Sequence, residues 1–270
     1  STLTINVKGA NDGPTVTVET GNPGNANDQV HESGLDGIGS NGAANTEFAT
    51  GSFKLSDPDG LGDVKSVTIN GGSAILIANL VGTNIAGAHG TLTITGYDAS
   101  TGVATYSYKL TSATTDVANV AETDAFTLTV SDGTSSSAPA TITIEIVDDV
   151  PTAVADAGYG VVEDGASNVS GNVLANDISG ADAPKAFDSW SSSDTAVINE
   201  LSQYGTLTQN GDGTWSYTLN NGLAATQALS GSFNKDFVLH YTMKDADGDT
   251  SSSTLTINVK GANDGPTVTV

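Results

Sequence analysis

Residues 1–18 and 253–270 are the same eighteen letters, STLTINVKGANDGPTVTV, at an offset of 252. Two unrelated strands would share an alternation of polar and apolar residues, but not every surface residue. The identity therefore marks a tandem array, and the chain reads as a slice of something longer. Inside the string, residues 254–259 alternate with the period of a half-buried strand. Residues 261–266, GANDGP, cannot continue that strand and read as a linker.

The same grammar recurs in the middle, where the alternating residues 141–147 meet Asp148, Asp149, Val150 and Pro151. Three strand-plus-acidic-linker marks enclose two domains. Shorter matches relate them: GTLT at 90–93 and 205–208, YSY at 106–108 and WSY at 215–217, and GSFKLSD at 51–57 on GNVLAND at 171–177 without a gap. Two diverged copies of one fold account for this. The expected boundaries are 1–12, the closing strand and linker of a preceding repeat, 13–149 and 150–262, the two domains, and 263–270, the start of the next repeat.

The expected strands are short. In the first domain they are a first strand broken around residues 21–28 (15–18 and 29–32), then 48–55, 64–69, 74–80, 90–95, 103–110, 126–130 and 141–147. In the second they are 161–163, 169–174, 186–190, 206–209, 214–219, 237–243 and 254–259. Asn210, Gly211, Asp212 and Gly213 between two alternating runs signal a hairpin. With 32 glycines and no long helical period, the chain reads as all-β: two tandem immunoglobulin-like, cadherin-like β-sandwiches joined by short acidic linkers. In residues 1–8, Leu3, Ile5 and Val7 form an apolar face without its sheet, expected to hang loosely or pair with a neighbouring edge.

Charge narrows the function. Thirty-one acids stand against eight basic residues, all lysine, for a formal charge of −23. Without arginine forks or a basic patch, the chain is not expected to bind nucleic acid. No apolar run approaches the ~18 residues of a membrane span, so no direct membrane insertion is expected. With no cysteine, neither a disulfide nor a thiolate site can staple the fold. His31, His89 and His240 are far apart and form no triad or zinc motif. Neighbours such as Glu163 and Asp164 point to opposite faces of a strand, so no carboxylate pair is set for acid/base work and no enzyme is expected.

Strands that alternate in direction gather the acids at the domain ends. In the second domain Asp177, Asp182, Asp212, Asp245, Asp247 and Asp249 are expected to crowd the linker pair Asp148 and Asp149, where the first domain contributes Glu32, Asp116, Glu122 and Asp124. The first domain's upstream end repeats this with Asp57, Asp59, Asp63, Asp98 and Asp132 facing Asn11 and Asp12. Downstream, Glu163 and Asp164 face Asn263 and Asp264. Like charges so close repel unless a cation sits among them, and carboxylate and carbonyl oxygens suit calcium. The competing explanations are ordinary turn chemistry, which accounts for Asp212 unaided, and a solvated acidic surface. DADGD at 245–249 lacks the distal glutamate and flanking helices of an EF-hand.

The NDGPT and DDVPT linkers, the Val-x-Glu at 30–32, VVEDG at 161–165, GNVLAND and DADGD together resemble the tandem extender repeats of large RTX, LapA-like bacterial adhesins, whose domains are of VCBS, cadherin-like or bacterial immunoglobulin-like type. The resemblance implies a calcium-stiffened stalk, several calcium ions mainly at domain junctions, and neighbouring repeats of the same chain as partners. It also implies a monomer at the bacterial cell surface, exported by type I secretion. SDGTSSS at 131–137 departs from the pattern, with one aspartate where the second domain has three. The alternative reading is a sugar- or peptide-binding adhesin module, using the loops 21–28 and 35–45 and Trp190.

Overall fold

The structure is a computed structural model and describes residues 2–19, 29–115 and 120–265. The expected loop 21–28 and Asp116 lie outside these residues. The chain divides into two compact units, Ser1–Asp148 and Asp149–Val270.

Unit 1 contains β1 (Thr15–Val18), β2 (Gln29–His31), β3 (Phe48–Ser56), β4 (Ser66–Ile69), β5 (Ile75–Leu76), β6 (Asn84–Ala86), β7 (Gly90–Asp98), β8 (Val103–Leu110), β9 (Thr123–Ser131) and β10 (Ala140–Val147). One sheet runs β1-β3-β8-β7-β6 and the other β2-β10-β9-β4-β5. β1 lies antiparallel on β3, whereas β2 lies parallel to β10, so the broken first strand is shared between the two sheets. This is the strand order of an immunoglobulin-type sandwich. Alternation drives it: Ala104, Tyr106, Tyr108 and Leu110 all face inward from β8, and Tyr108 meets Phe126 of β9 edge to face at 5.9 Å. Each such aliphatic or phenyl side chain contributes about 1.5–3 kcal/mol on burial. The expected strand 74–80 is cut to the two residues of β5 and a 3-10 turn, because Leu80 turns into the core and is fully buried. β6, which pairs with β7, was not anticipated.

Unit 2 contains β11 (Asp156–Val162), β12 (Asn168–Asn172), β13 (Ala186–Trp190), α1 (Thr195–Leu201), β14 (Gly205–Gln209), β15 (Thr214–Leu219), α2 (Ala224–Gln227), β16 (Asn234–Lys244) and β17 (Thr250–Lys260). Its sheets run β11-β17-β16-β13 and β12-β15-β14. β11 is parallel to β17, as β2 is to β10. β11 starts five residues before the expected strand, because a register shift between Asp156 and Tyr159, with Gly158 at φ +89°, interrupts the alternation. The core joins both sheets through Trp215, Tyr217, Leu239, Leu255 and Ile257.

Two short helices interrupt the strands of this mostly β unit. Each fills a crossover between sheets, α1 from β13 to β14 and α2 from β15 to β16. At seven and four residues they are too short to display a 3.6-residue period. Tertiary contacts hold α1 in place. Leu201 is fully buried, and Asp194 accepts from the His240 amide at 2.5 Å and faces its Nδ1 at 2.9 Å.

The gap-free match between the units is spatial as well. Gly51 pairs with Tyr106 and Gly171 with Trp215; Gly90 pairs with Leu110 and Gly205 with Leu219. In each case the glycine leaves room for a neighbouring aromatic ring. A Cβ on Gly51 would lie 2.3 Å from the Tyr106 hydroxyl, and one on Gly90 2.3 Å from that of Tyr108. Residues 2–10 form no strand, and Leu3, Ile5 and Val7 are 85, 75 and 86 % exposed.

Candidate metal centre

Three stretches meet at the upstream end of unit 2. After β16 the chain turns through Asp245, Asp247 and Asp249, whose carboxylate oxygens lie within 4.8 Å of one another. Asp245 organises the turn: its Oδ1 accepts from the amides of Gly248 at 3.0 Å and Asp249 at 2.9 Å, while its buried Oδ2 has no donor. Burial, with Asp247 beside it, pushes the Asp245 carboxyl up to about 6. The loop after β12 joins through the Ala246 amide, which donates to the Asp182 carbonyl. Asp149 of the linker is anchored there too, accepting from the Ala181 amide at 3.0 Å. Asp177 accepts from Val154 at 2.6 Å and from the Tyr241 hydroxyl at 2.9 Å through Oδ1, and its Oδ2 is also buried without a donor.

Unit 1 builds its upstream end differently. Asp57, Asp59 and Asp63 form a second group within 4.8 Å, folded by Gly60 at φ +106° and by the Asp59 amide donating to Asp57 Oδ1 at 2.8 Å. Asp57 Oδ2 is buried without a donor. The linker reaches the group through the Asp12 amide, 2.7 Å from Asp59 Oδ2, and Lys65 pairs with Asp63 at 3.1 Å. Asp132, the counterpart of Asp245, stands outside the group. Its Oδ1 accepts from Thr134 and Ser135, each at 2.6 Å, and its Oδ2 from the Ser135 hydroxyl at 2.8 Å and Asn11 at 3.0 Å. These donors hold its carboxyl far below the ordinary range. Where unit 2 places two further aspartates, unit 1 places hydroxyls that satisfy the one it keeps.

At the downstream ends Glu32 and Glu163 correspond. Both are 1 % exposed, and each gives one oxygen to a linker or loop amide: Glu32 Oε1 to Thr114 at 2.6 Å, Glu163 Oε2 to Ala262 at 3.0 Å. Each keeps its other oxygen buried without a donor. Glu32 and Asp148 present carboxylate oxygens within 4.8 Å of each other, and the Thr114 hydroxyl contacts both Glu32 and Glu122. Asp164, in the left-handed region at φ +54°, is exposed, as are Asn263 and Asp264.

Several anticipated residues have other roles. Asp124 is a structural acid, accepting from the amides of Ala88, His89 and Gly90 at 3.0–3.1 Å and from the Tyr108 hydroxyl at 2.9 Å. Asp212 and Asp98 cap their own hairpin turns through Thr214 and through Ser100 with Thr101. Those bonds lower both carboxyls. Trp190 looks exposed from its strand position but packs between Phe187 and Tyr241 and donates its indole N–H to Asn210.

Asp156 escaped the sequence reading. It is 5 % exposed, its Oδ2 has no donor, and burial with the charge of Asp177 raises its carboxyl to about 6. It stands before the bulge in β11, outside the alternation that located the strand. Its position a few residues after the Pro151 linker was the only sign available.

No helix among the described residues is long and apolar enough to cross a membrane. No curated protein matches the sequence. Among solved structures, the chain is similar to mouse clustered PcdhgC3 domains EC1-3, with 15 % identity, 92 % of this chain and 68 % of that one covered, and a TM-score of 0.30. It is similar also to protocadherin gamma B7 cadherin domains 1-4, with 13 % identity, TM-score 0.29, 92 % of this chain covered and about half (51 %) of that one. Residues 148–261, which carry β11 to β17 and the Asp245 group, match the family model of the bacterial cadherin-like domain.

Proposed function

We propose that the chain is a stretch of calcium-stiffened extender repeats from a large RTX-type adhesin, holding a ligand-binding tip away from the bacterial surface. One observation carries the reading: carboxylate oxygens of Asp57, Asp245 and Glu32 are buried without donors within groups of acids. Such oxygens are costly to bury unless a cation or donor meets them. The donor set fits a hard cation, being all oxygen, with no cysteine in the chain and no ion pair to Asp245 or Asp249 among the described residues. Calcium, when bound, would supply the charge and the six to eight coordination positions that these oxygens ask for.

The protein's own part is orientation. Backbone amides hold one oxygen of Asp245 and one of Asp57, so the second oxygen of each is aimed into its group. Linker residues Asp12, Asp149 and Ala262 are tied by hydrogen bonds to those same ends, so binding there would stiffen the linkers and limit bending between modules. The match of residues 148–261 to the bacterial cadherin-like domain supports an extracellular, adhesion-type setting; successive repeats as partners and export by type I secretion are part of the proposal. The test is small-angle scattering and melting of the whole chain in millimolar calcium and then in chelator. A longer maximum dimension and a higher melting temperature in calcium are expected; no change in either overturns the reading.

A further inference from the structure

At one place in the fold, unit 1 carries side chains that unit 2 does without. Where β2 meets the start of β3, Gln29, His31, Asn45, Thr46 and Phe48 line a cleft of about 220 Å3. Unit 2 closes the same corner with the same backbone bond: the His31 amide donates to the Thr46 carbonyl at 2.9 Å, and the Val162 amide to the Ala166 carbonyl at 2.8 Å. His31 and Val162 hold equivalent registers, opposite Val147 and Lys260, and so do Gln29 and Gly160. The gap-free match between the units puts Asn168 in the place of Phe48. The sandwich thus forms with glycine, valine, alanine and asparagine at this corner, and folding does not demand the amide, the imidazole and the phenyl ring of unit 1. We propose that this cleft of unit 1 binds a neutral monosaccharide.

Unit 1 also inserts chain beside the cleft. Thr46 comes 15 residues after His31, whereas Ala166 comes four after Val162. The extra residues fold on themselves as a compact loop: Leu35 is buried, the Gly39 amide donates to the Leu35 carbonyl at 2.9 Å, and the Asn41 amide donates to that of Ser33 at 2.8 Å. Lys109 ties this loop to the cleft, pairing with Asp36 at 3.0 Å while its ammonium stands 5.1 Å from the centre of the Phe48 ring. The ring is braced by that contact and still 42 % exposed. Loops positioned in this way by a rigid scaffold are where binding residues concentrate. The lining then selects the ligand. An aromatic face packs against the C–H face of a sugar ring, and the amides of Gln29 and Asn45 both donate and accept, as neighbouring hydroxyls require, with the ring nitrogens of His31 beside them. No acid or lysine is among the five lining residues, so a charged ligand would find no counter-ion there, and the volume suits one ring and not a chain.

The test is NMR of the whole chain with isotope-labelled histidine, which places one reporter, His31, in the cleft and two, His89 and His240, elsewhere. The chain is titrated with D-glucose, D-galactose, D-mannose, L-fucose and N-acetyl-D-glucosamine. At least one sugar is expected to shift the His31 ring signals saturably, with a Kd on the order of millimolar for a ligand of one ring, and to leave His89 and His240 unmoved. Phe48→Ala should weaken that binding about tenfold, and Phe48→Tyr should keep it. If Phe48→Ala alters the melting of unit 1, Gln29→Ala takes its place. No shift of His31 with any of these sugars at ~50 mM, well above that Kd, overturns the assignment. So do shifts that survive the alanine variant, shifts shared equally by all three histidines, or a response to N-acetylphenylalaninamide and to no sugar. No acid lines the cleft, so the outcome should be the same in calcium and in chelator, which separates its failure from that of the stalk reading.

Discussion

Asp245→Asn should stabilise unit 2 without calcium and remove most of what calcium adds. Asp245 uses Oδ1 to accept two amides, a task that an asparagine carbonyl performs equally well. Its Oδ2 has no donor and lies beside Asp247, where the asparagine NH2 becomes a donor facing a carboxylate. The wild-type carboxyl is raised from 3.8 to about 6. A rise of that size corresponds to a ceiling of ~3 kcal/mol, and screening in a loop at the module's end reduces this to about 1–2 kcal/mol. A raised folded pKa means that the folded state binds the proton more tightly. The contribution is thus fully present below pH ~4 and lost as pH climbs through ~6. In chelator, the wild type should gain stability on acidification from pH 7.5 to 5, and Asp245→Asn should blunt that gain, with Asp156 retaining a share of it. At pH 7.5 the substitution should raise the apo melting temperature by roughly 4–8 °C, at about 4 °C per kcal/mol. Calcium at 100-fold its Kd should stabilise the wild type by about 2.7 kcal/mol and the variant far less. Both tryptophans, Trp190 and Trp215, belong to unit 2, so indole fluorescence follows this unit alone. A variant that melts lower in chelator and keeps its full calcium shift refutes the reasoning.

Two further predictions concern packing. Gly51→Ala puts a methyl 2.3 Å from the buried Tyr106 hydroxyl, whereas at the matching Gly171 the nearest atom is 3.2 Å away. Calorimetry should show Gly51→Ala destabilising unit 1 by about 1–3 kcal/mol and Gly171→Ala destabilising unit 2 by less than about 1 kcal/mol; equal losses would mean that the two rings are not positioned as described. Asp124→Asn sets an amide against the four donors that Asp124 now satisfies. It should cost unit 1 on the order of 3 kcal/mol with or without calcium, and a calcium-dependent loss would instead make Asp124 a ligand.

Much of the framework was legible in the chain itself, because strand residues that face a core must alternate with those that do not. That period located β3, β8, β10, β15 and β17 to within a few residues, and the aligned pairs Gly51 with Gly171 and Tyr106 with Trp215 turned out to occupy paired positions on neighbouring strands. Elements without a period were hidden: the seven residues of α1, the two of β5, and the start of β11 ahead of its bulge.

The acidic loops could be found by composition, since aspartate and glycine accumulate where the chain turns. Composition could not separate Asp132 from Asp245, which open similar loops after equivalent strands. What separates them is whether the second oxygen meets a donor: Asp132 receives Asn11 from 121 positions away, and Asp245 receives none. The same holds for Asp124, held by donors 34 to 36 residues upstream, and for Asp156, buried beside Asp177 and Tyr241. Local sequence determines where a carboxylate stands along the chain. Only the tertiary fold decides whether its charge is already answered, because the answering groups come from loops that the chain brings together after dozens of intervening residues.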